Sequence, residues 1–203
     1  PIIARYRRAF TANKDTVSLM AKEFIKGHRK FEVLTSLKHF PGHGSSKDDT
    51  HLGIADVTHT WEKRELEPYQ ALIDSGYADA VMTSHIVNKK LDPDGNPGTL
   101  SDDIIDGILR KQMGFDGVVF TDDMQMHAIA KNYGLEDAIR MAIHAGVDIM
   151  TFSNNISGSD ERTVDKVHSI IRGMVKNGVI TEARIDESFD RIMELKRQLV
   201  RKD

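Results

Sequence analysis

Short apolar runs alternate with longer stretches of helical periodicity along this chain. Four runs stand out, at residues 31–37, 78–84, 117–121 and 147–152. A strand with one wet face alternates apolar and polar residues, and these runs do not. Continuous apolar runs of this length read as strands buried on both faces, the pattern of a parallel sheet covered by helices. Between them lie segments with apolar residues three and four apart. Residues 15–26 place Val17, Met20, Ala21, Phe24 and Ile25 on one face, with Gly27 suited to close the helix. Residues 61–74 carry Leu66, Tyr69 and Ile73 along one stripe, and Pro68 either kinks that helix or marks its start. Residues 102–113 follow Ser101 as N-cap. Residues 135–145 and 159–177 are helical, the second with Gly178 at its end, and Thr181 caps a last helix from 182 to about 201. Residues 88–99 hold two prolines and two glycines and read as loop.

Strand, helix, strand, helix predicts an α/β fold, either a doubly wound sheet or part of a (β/α)8 barrel. No GxGxxG or P-loop follows the first strand, which weakens the nucleotide-binding option. The polar residues gather where each strand ends: Lys38 and His39, then His85, then Asp122 and Asp123, then residues 153–155. That is the rim on which a barrel builds its chemistry. The strands at about 33–38, 80–84, 117–121 and 148–151 are therefore expected to be parallel neighbours in that order.

The richest stretch is residues 38–51, KHFPGHGSSKDDTH, with three histidines, two lysines and two aspartates straight after the first strand. Pro41 stops the strand, and Gly42 and Gly44 relieve the backbone of the turn. The bland alternative is a solvated loop with scattered histidines. In the Thr-Asp-Asp run, Asp122 is the first carboxylate after a buried strand. Asp123 is its competitor, or else a neighbour that orients the site or sits at a helix N-terminus.

Composition narrows the classes. The chain has 203 residues, enough for one domain with a core, and a net charge of −3, which gives no case for nucleic acid or an anionic membrane as partner. No apolar run is long enough for a bilayer. The absence of cysteine removes disulfides and thiolate metal sites but does not separate cytoplasm from periplasm. No HExxH and no histidine pair four apart on a predicted helix is present, so neither metal nor other cofactor is expected. The opening PIIARYRRAF resembles neither a signal peptide nor a natural start, so a piece of a longer protein is expected.

Two stretches, KHFPGHG with a following Asp-x-His and GFDGVVFTDDMQM, resemble glycoside hydrolase family 3, and within it the β-N-acetylglucosaminidase branch. RAF at residues 8–10, MTSHI at 82–86, GTLSDDIIDGILRKQMGF at 98–115 and RIDESFDRIMELK at 184–196 extend the resemblance over nearly the whole chain. It implies that residues 1–203 are the C-terminal part of a family 3 barrel domain, a partial (β/α)8 TIM barrel with its later four βα units. It implies a retaining enzyme that removes terminal β-linked N-acetylglucosamine. Such chemistry needs a carboxylate nucleophile and a proton donor. The resemblance gives Asp122 as the nucleophile and His51, supported by Asp49, as the acid/base. Histidine titrates near neutrality and can serve as acid and then as base. Arg8, Lys38 and His39 resemble the family's hydroxyl-contacting residues, and His85 is expected on the same rim as a further substrate-binding residue. The implied partners are a small carbohydrate and either the remaining N-terminal part of the barrel or another copy of the chain, since four strands cannot close a barrel. Three alternatives stay open: a phosphorylase passing the glycosyl group to phosphate, another family 3 β-glycosidase, and a non-catalytic sugar-binding protein.

Overall fold

The computed structural model describes residues 2–47, 53–153 and 163–199. Its strands in chain order are β1 (Ser36–Phe40), β2 (Ala55–Asp56), β3 (Ala80–Thr83), β4 (Ile86–Val87), β5 (Val118–Asp123) and β6 (Ile149–Thr151). One four-stranded sheet runs β1-β3-β5-β6, all parallel. The register pairs Leu37 with Val81, Val81 with Val119, and Phe120 with Ile149. The expected strand order holds, and all four carboxyl ends lie on one side. Helices separate the strands: α1 (Ile2–Arg5) and α2 (Lys14–Arg29) precede β1, and α3 (Glu67–Asp74) leads into β3. A π-type helix, Asp103–Gln112, links β3 to β5, while α4 (His127–Ala130) and α5 (Leu135–Ala145) link β5 to β6. α6 (Thr163–Lys176) and α7 (Glu182–Arg197) follow. This is an α/β arc of a (β/α)8 barrel.

Local chemistry explains most boundaries. Asn13 opens α2, its side-chain oxygen accepting the N–H groups of Asp15 and Thr16 at 3.0 and 2.9 Å. Ser101 caps the π-type helix through Ile104 N–H at 3.2 Å, and Thr181 caps α7 through Arg184 N–H at 3.2 Å. Pro68 lies in the first turn of α3, so it marks the helix start; the residues before it form a 3-10 turn, Lys63–Leu66. Gly146, at φ +109°, ends α5.

Three expectations are corrected. The first strand begins at Ser36, and Phe31 stands exposed. Helix α2 continues through Gly27 to Arg29, and its last carbonyls hold the following residues in a turn: Phe31 and Val33 both donate to His28 O. The strand starts only after Thr35 is captured, N–H and hydroxyl together, by the buried Asp79 carboxylate. Second, burial on both faces is true of the two inner strands alone. Val81, Val118 and Val119 are fully buried, whereas the outer strands β1 and β6 are largely half-exposed. Third, the apolar face of α2 is only partly used. Ile25 is buried, but Met20 and Phe24 are about half-exposed, as are Tyr6, Phe10 and Leu19. The short β2–β4 pair, Ala55 beside Ile86 and Asp56 beside Val87, had no signal in the pattern.

The main core joins Phe40, Val81, Ile104, Ile105, Leu109, Val119 and Ala142 between sheet and helices. Full burial of one such aliphatic side chain stabilises by about 1.5–3 kcal/mol. At the opposite end of the strands, fully buried Asp148 receives Arg110 at 2.7 Å, Arg191 at 3.3 Å, the Ser188 hydroxyl at 2.7 Å and Val119 N–H at 2.9 Å. That carboxylate ties α7 and the π-type helix to the sheet and leaves the carboxyl rim clear for the site. Among the described residues, no helix is long and apolar enough to cross a membrane.

Candidate active site

The site grows from the carboxyl ends of β1, β3 and β5. Strand β1 delivers Lys38, which is exposed, and His39, and both the Lys38–His39 and Phe40–Pro41 peptide bonds are cis. His39 Nε2 lies 3.8 Å from Asp122 Oδ2 at the end of β5. Burial pushes the His39 imidazole down to about 4, outweighing the opposite pull of Asp122; Lys38, His43 and Arg8 push the same way as burial. The ring is therefore neutral at neutral pH, and the 3.8 Å approach is a polar contact, neither ion pair nor hydrogen bond. His43 turns its ring edge toward His39, centroids 5.9 Å apart. Arg8 is solvent-exposed but near enough to act on the charge of His39.

The turn after β1 is clamped from the next helical segment. Trp61 Nε1–H donates to Pro41 O at 3.1 Å. The Glu65 carboxylate accepts Gly44 N–H at 3.0 Å and the Ser45 hydroxyl. Gly42 adopts φ +122°, and a Cβ there would stand 2.7 Å from Glu65 Cβ. On the other side Gly98 packs so closely that a Cβ would meet Ser84 O at 3.1 Å and Pro41 Cδ at 3.3 Å.

The two adjacent aspartates at the end of β5 have different surroundings. Asp123 accepts Gln125 N–H at 3.0 Å, Ser153 N–H at 3.2 Å and the Ser153 hydroxyl. Its carboxylate stitches the β5 turn to the end of β6. Asp122 accepts Asp123 N–H on Oδ1 at 2.9 Å and turns Oδ2 toward His39. One carboxylate is engaged in holding backbone; the other presents an oxygen to the rim and keeps about a fifth of its side chain exposed. Met124 and Met126 behind them are buried, and Met124 packs in the core.

His85 lies beneath this pair, fully buried. Nδ1 meets the Thr99 hydroxyl at 2.8 Å and Nε2 meets Asp123 O at 2.9 Å, so both ring nitrogens are engaged within the protein. The structure thus brings together Lys38, His39, Asp122 and, one layer down, His85. Asp49 and His51 lie outside the described residues. Among the described residues, no three histidine, aspartate or glutamate side chains converge as a metal site.

Three supporting residues escaped sequence reasoning: Trp61, Glu65 and Thr99. Trp61 left a signal, since it is the sole tryptophan of the chain and a buried indole N–H needs an acceptor. Glu65 and Thr99 left none, because their partners are distant in sequence.

A family model for the glycosyl hydrolase family 3 N-terminal domain matches residues 2–195. A beta-hexosaminidase of Tolumonas auensis is 34% identical over 155 residues, 75% of this chain and 46% of that protein. The solved structure of a glycoside hydrolase family 3 beta-N-acetylglucosaminidase from Paenibacillus sp. superposes with TM-score 0.85 at 34% identity, over 95% of this chain and 36% of that one. A beta-glucoside phosphorylase, BglX, superposes with TM-score 0.82 at 30% identity, over 97% of this chain and 36% of that one. The chain spans under half the length of each of these three relatives.

Proposed function

The chain belongs to glycosyl hydrolase family 3, and we propose that it forms the catalytic later half of the barrel of a retaining β-N-acetylglucosaminidase. The observation that carries this reading is the division of labour between the paired aspartates: Asp123 is engaged by Ser153 and Gln125, while Asp122 presents Oδ2 to the rim beside His39. In the proposed reaction Asp122 attacks the anomeric carbon, and His51 gives its proton to the leaving oxygen. His51 then takes a proton from water, and the water oxygen displaces Asp122 to release the sugar. Asp49 would orient His51 and support the imidazolium, as the aspartate of a hydrolase triad does. Likeness to a beta-hexosaminidase and a beta-N-acetylglucosaminidase supports the sugar, and the Asp-x-His spacing at residues 49–51 supports the acid/base pair.

Lys38 and Arg8 would donate to sugar hydroxyls, which fits their position by the rim and their donor-only chemistry. Neutral His39 can give or accept one hydrogen bond, so it suits a hydroxyl beside Asp122 without neutralising the nucleophile. The outer edges of β1 and β6, with the exposed apolar residues of α2, would receive the rest of the barrel, whether from further chain or from another copy. A second reading, phosphorolysis, draws on the likeness to BglX: phosphate would take the place of water in the second step.

The test is turnover of 4-nitrophenyl β-N-acetylglucosaminide by the purified protein, with and without inorganic phosphate. Free N-acetylglucosamine in both conditions supports the hydrolase. A sugar 1-phosphate that appears only with phosphate moves the assignment to the phosphorylase. Binding of N-acetylglucosamine with no turnover of any β-glycoside overturns both.

A further inference from the structure

His85 is a buried titratable group, and both its ring nitrogens are committed within the protein. Counting protons fixes the arrangement. The Asp123 carbonyl can only accept, so Nε2 carries the hydrogen of the 2.9 Å contact. Burial also pushes this imidazole toward its neutral form. A neutral ring then needs a donor at Nδ1, and the Thr99 hydroxyl at 2.8 Å supplies it. Thr99 Oγ1 in turn accepts from Thr83 Oγ1 at 2.7 Å. The Thr99 hydroxyl has a second acceptor within reach, Ser84 O at 3.0 Å, which also takes the Thr99 backbone N–H at 2.9 Å; the shorter contact and the otherwise unmatched Nδ1 direct the hydroxyl proton to His85. One directed chain therefore runs from Thr83 on β3 through Thr99 and His85 to the Asp123 carbonyl on β5.

That carbonyl belongs to the residue whose N–H holds Asp122 Oδ1 at 2.9 Å. Other holds on Asp123 come from its own turn, Gln125 and Met126, and from Ser153 beyond β6. Among the described residues, His85 is the side chain that reaches it from β3. We propose that His85 is a positioning residue for the reaction: its Nε2–H fixes the backbone of Asp123 at the carbonyl, and so, across the Asp123 Cα, the N–H that aims the Asp122 carboxylate, while Thr99 and Thr83 set its tautomer. This rests on the reading of Asp122 as nucleophile. Its chemistry differs from sugar contact, because neither ring nitrogen is left to meet a hydroxyl.

The experiment compares His85→Phe, His85→Gln and Thr99→Val with the parent in the active protein, and runs Asp122→Ala in parallel. Phenylalanine fills the site without a donor; glutamine returns an N–H near the position of Nε2. His85→Phe is expected to lower kcat, and the rate at which an activated fluoro-sugar that keeps the 2-acetamido group inactivates the enzyme, by roughly 10²-fold, with KM little changed. His85→Gln should recover most of that loss, which a merely structural role would not give. Thr99→Val should lower kcat in the same direction, with the Thr99→Val/His85→Phe double variant no worse than His85→Phe alone. If His85→Phe does not fold, Thr99→Val and His85→Gln carry the test. A full kcat per folded molecule in both His85→Phe and Thr99→Val, or a raised KM at unchanged kcat, overturns the inference. If Asp122→Ala keeps its activity, the nucleophile reading falls and the inference falls with it. If Asp122→Ala is inactive while the His85 and Thr99 variants are unimpaired, this inference alone is wrong.

Discussion

Gly42→Ala probes the clamp on the turn after β1. Gly42 sits at φ +122°, where an L residue is strained, and such a conformation costs on the order of 1–3 kcal/mol. The added Cβ would also stand 2.7 Å from Glu65 Cβ, 2.9 Å from Glu65 Oε2 and 3.2 Å from Trp61 Nε1. The carboxylate oxygen can swing away, but Glu65 Cβ moves only with its backbone. Overpacking of that kind adds about 1–3 kcal/mol, giving a total of about 2–6 kcal/mol. The turn can relieve part of this by sliding, which would break the Trp61–Pro41 and Glu65–Gly44 hydrogen bonds and shift His39 from its place 3.8 Å from Asp122. Urea unfolding should therefore show a lower midpoint at unchanged slope, and kcat/KM should fall by roughly 10²-fold. Adding Glu65→Ala should not rescue Gly42→Ala, because Ala retains the offending Cβ; a Glu65→Gly background should shrink the penalty. Stability within about 0.5 kcal/mol of the parent, together with full activity, would refute the clamp.

The pH profile of stability follows from His39. Its folded value of about 4 lies below the ordinary 6.5, so between those limits the unfolded chain binds a proton that the folded chain refuses. The His39 contribution is present above about pH 6.5 and is lost as pH falls toward 4, at up to about 1.4 kcal/mol per pH unit. Buried His85 is shifted in the same direction and adds to the fall. Urea titrations from pH 7.5 to 4.5 should show it, and His39→Gln should flatten the slope; a slope unchanged by that substitution removes His39 as the source. Under the proposed roles, His51→Ala should depress turnover most for poor leaving groups, and azide should restore part of the rate with aryl substrates while forming a glycosyl azide. Equal losses for good and poor leaving groups, with no azide effect, would move proton transfer to another residue.

The parallel sheet, its strand order and the shared carboxyl rim were legible because short apolar runs followed by polar residues encode them locally. The start of β1 was not. Phe31 and Val33 look like strand residues, but the carbonyls of α2 and the Asp79 carboxylate decide where the strand begins. Asp148 read as the first residue of a strand, yet it is the buried counter-charge to Arg110 and Arg191, which are 38 and 43 residues away. Lys38, His39 and Asp122 were readable as a group because each lies at or near the carboxyl end of a strand that an apolar run announces. The hydrogen bonds of Asp123 and His85 were not readable, because they run to Ser153 and Thr99, which only the fold brings near. Half-exposed Met20 and Phe24 show the limit of periodicity: it reports that a helix has an apolar face, not what that face meets.

Everything proposed for the reaction rests on Asp122 forming the bond to the sugar. Incubating the active protein with an activated fluoro-sugar that keeps the 2-acetamido group, and mapping the adduct by peptide mass spectrometry, tests it directly. One glycosyl group per site, carried by Asp122, is expected, with no labelling of Asp122→Ala. A label on Asp123, or unlabelled Asp122 in an enzyme that still turns over, contradicts it.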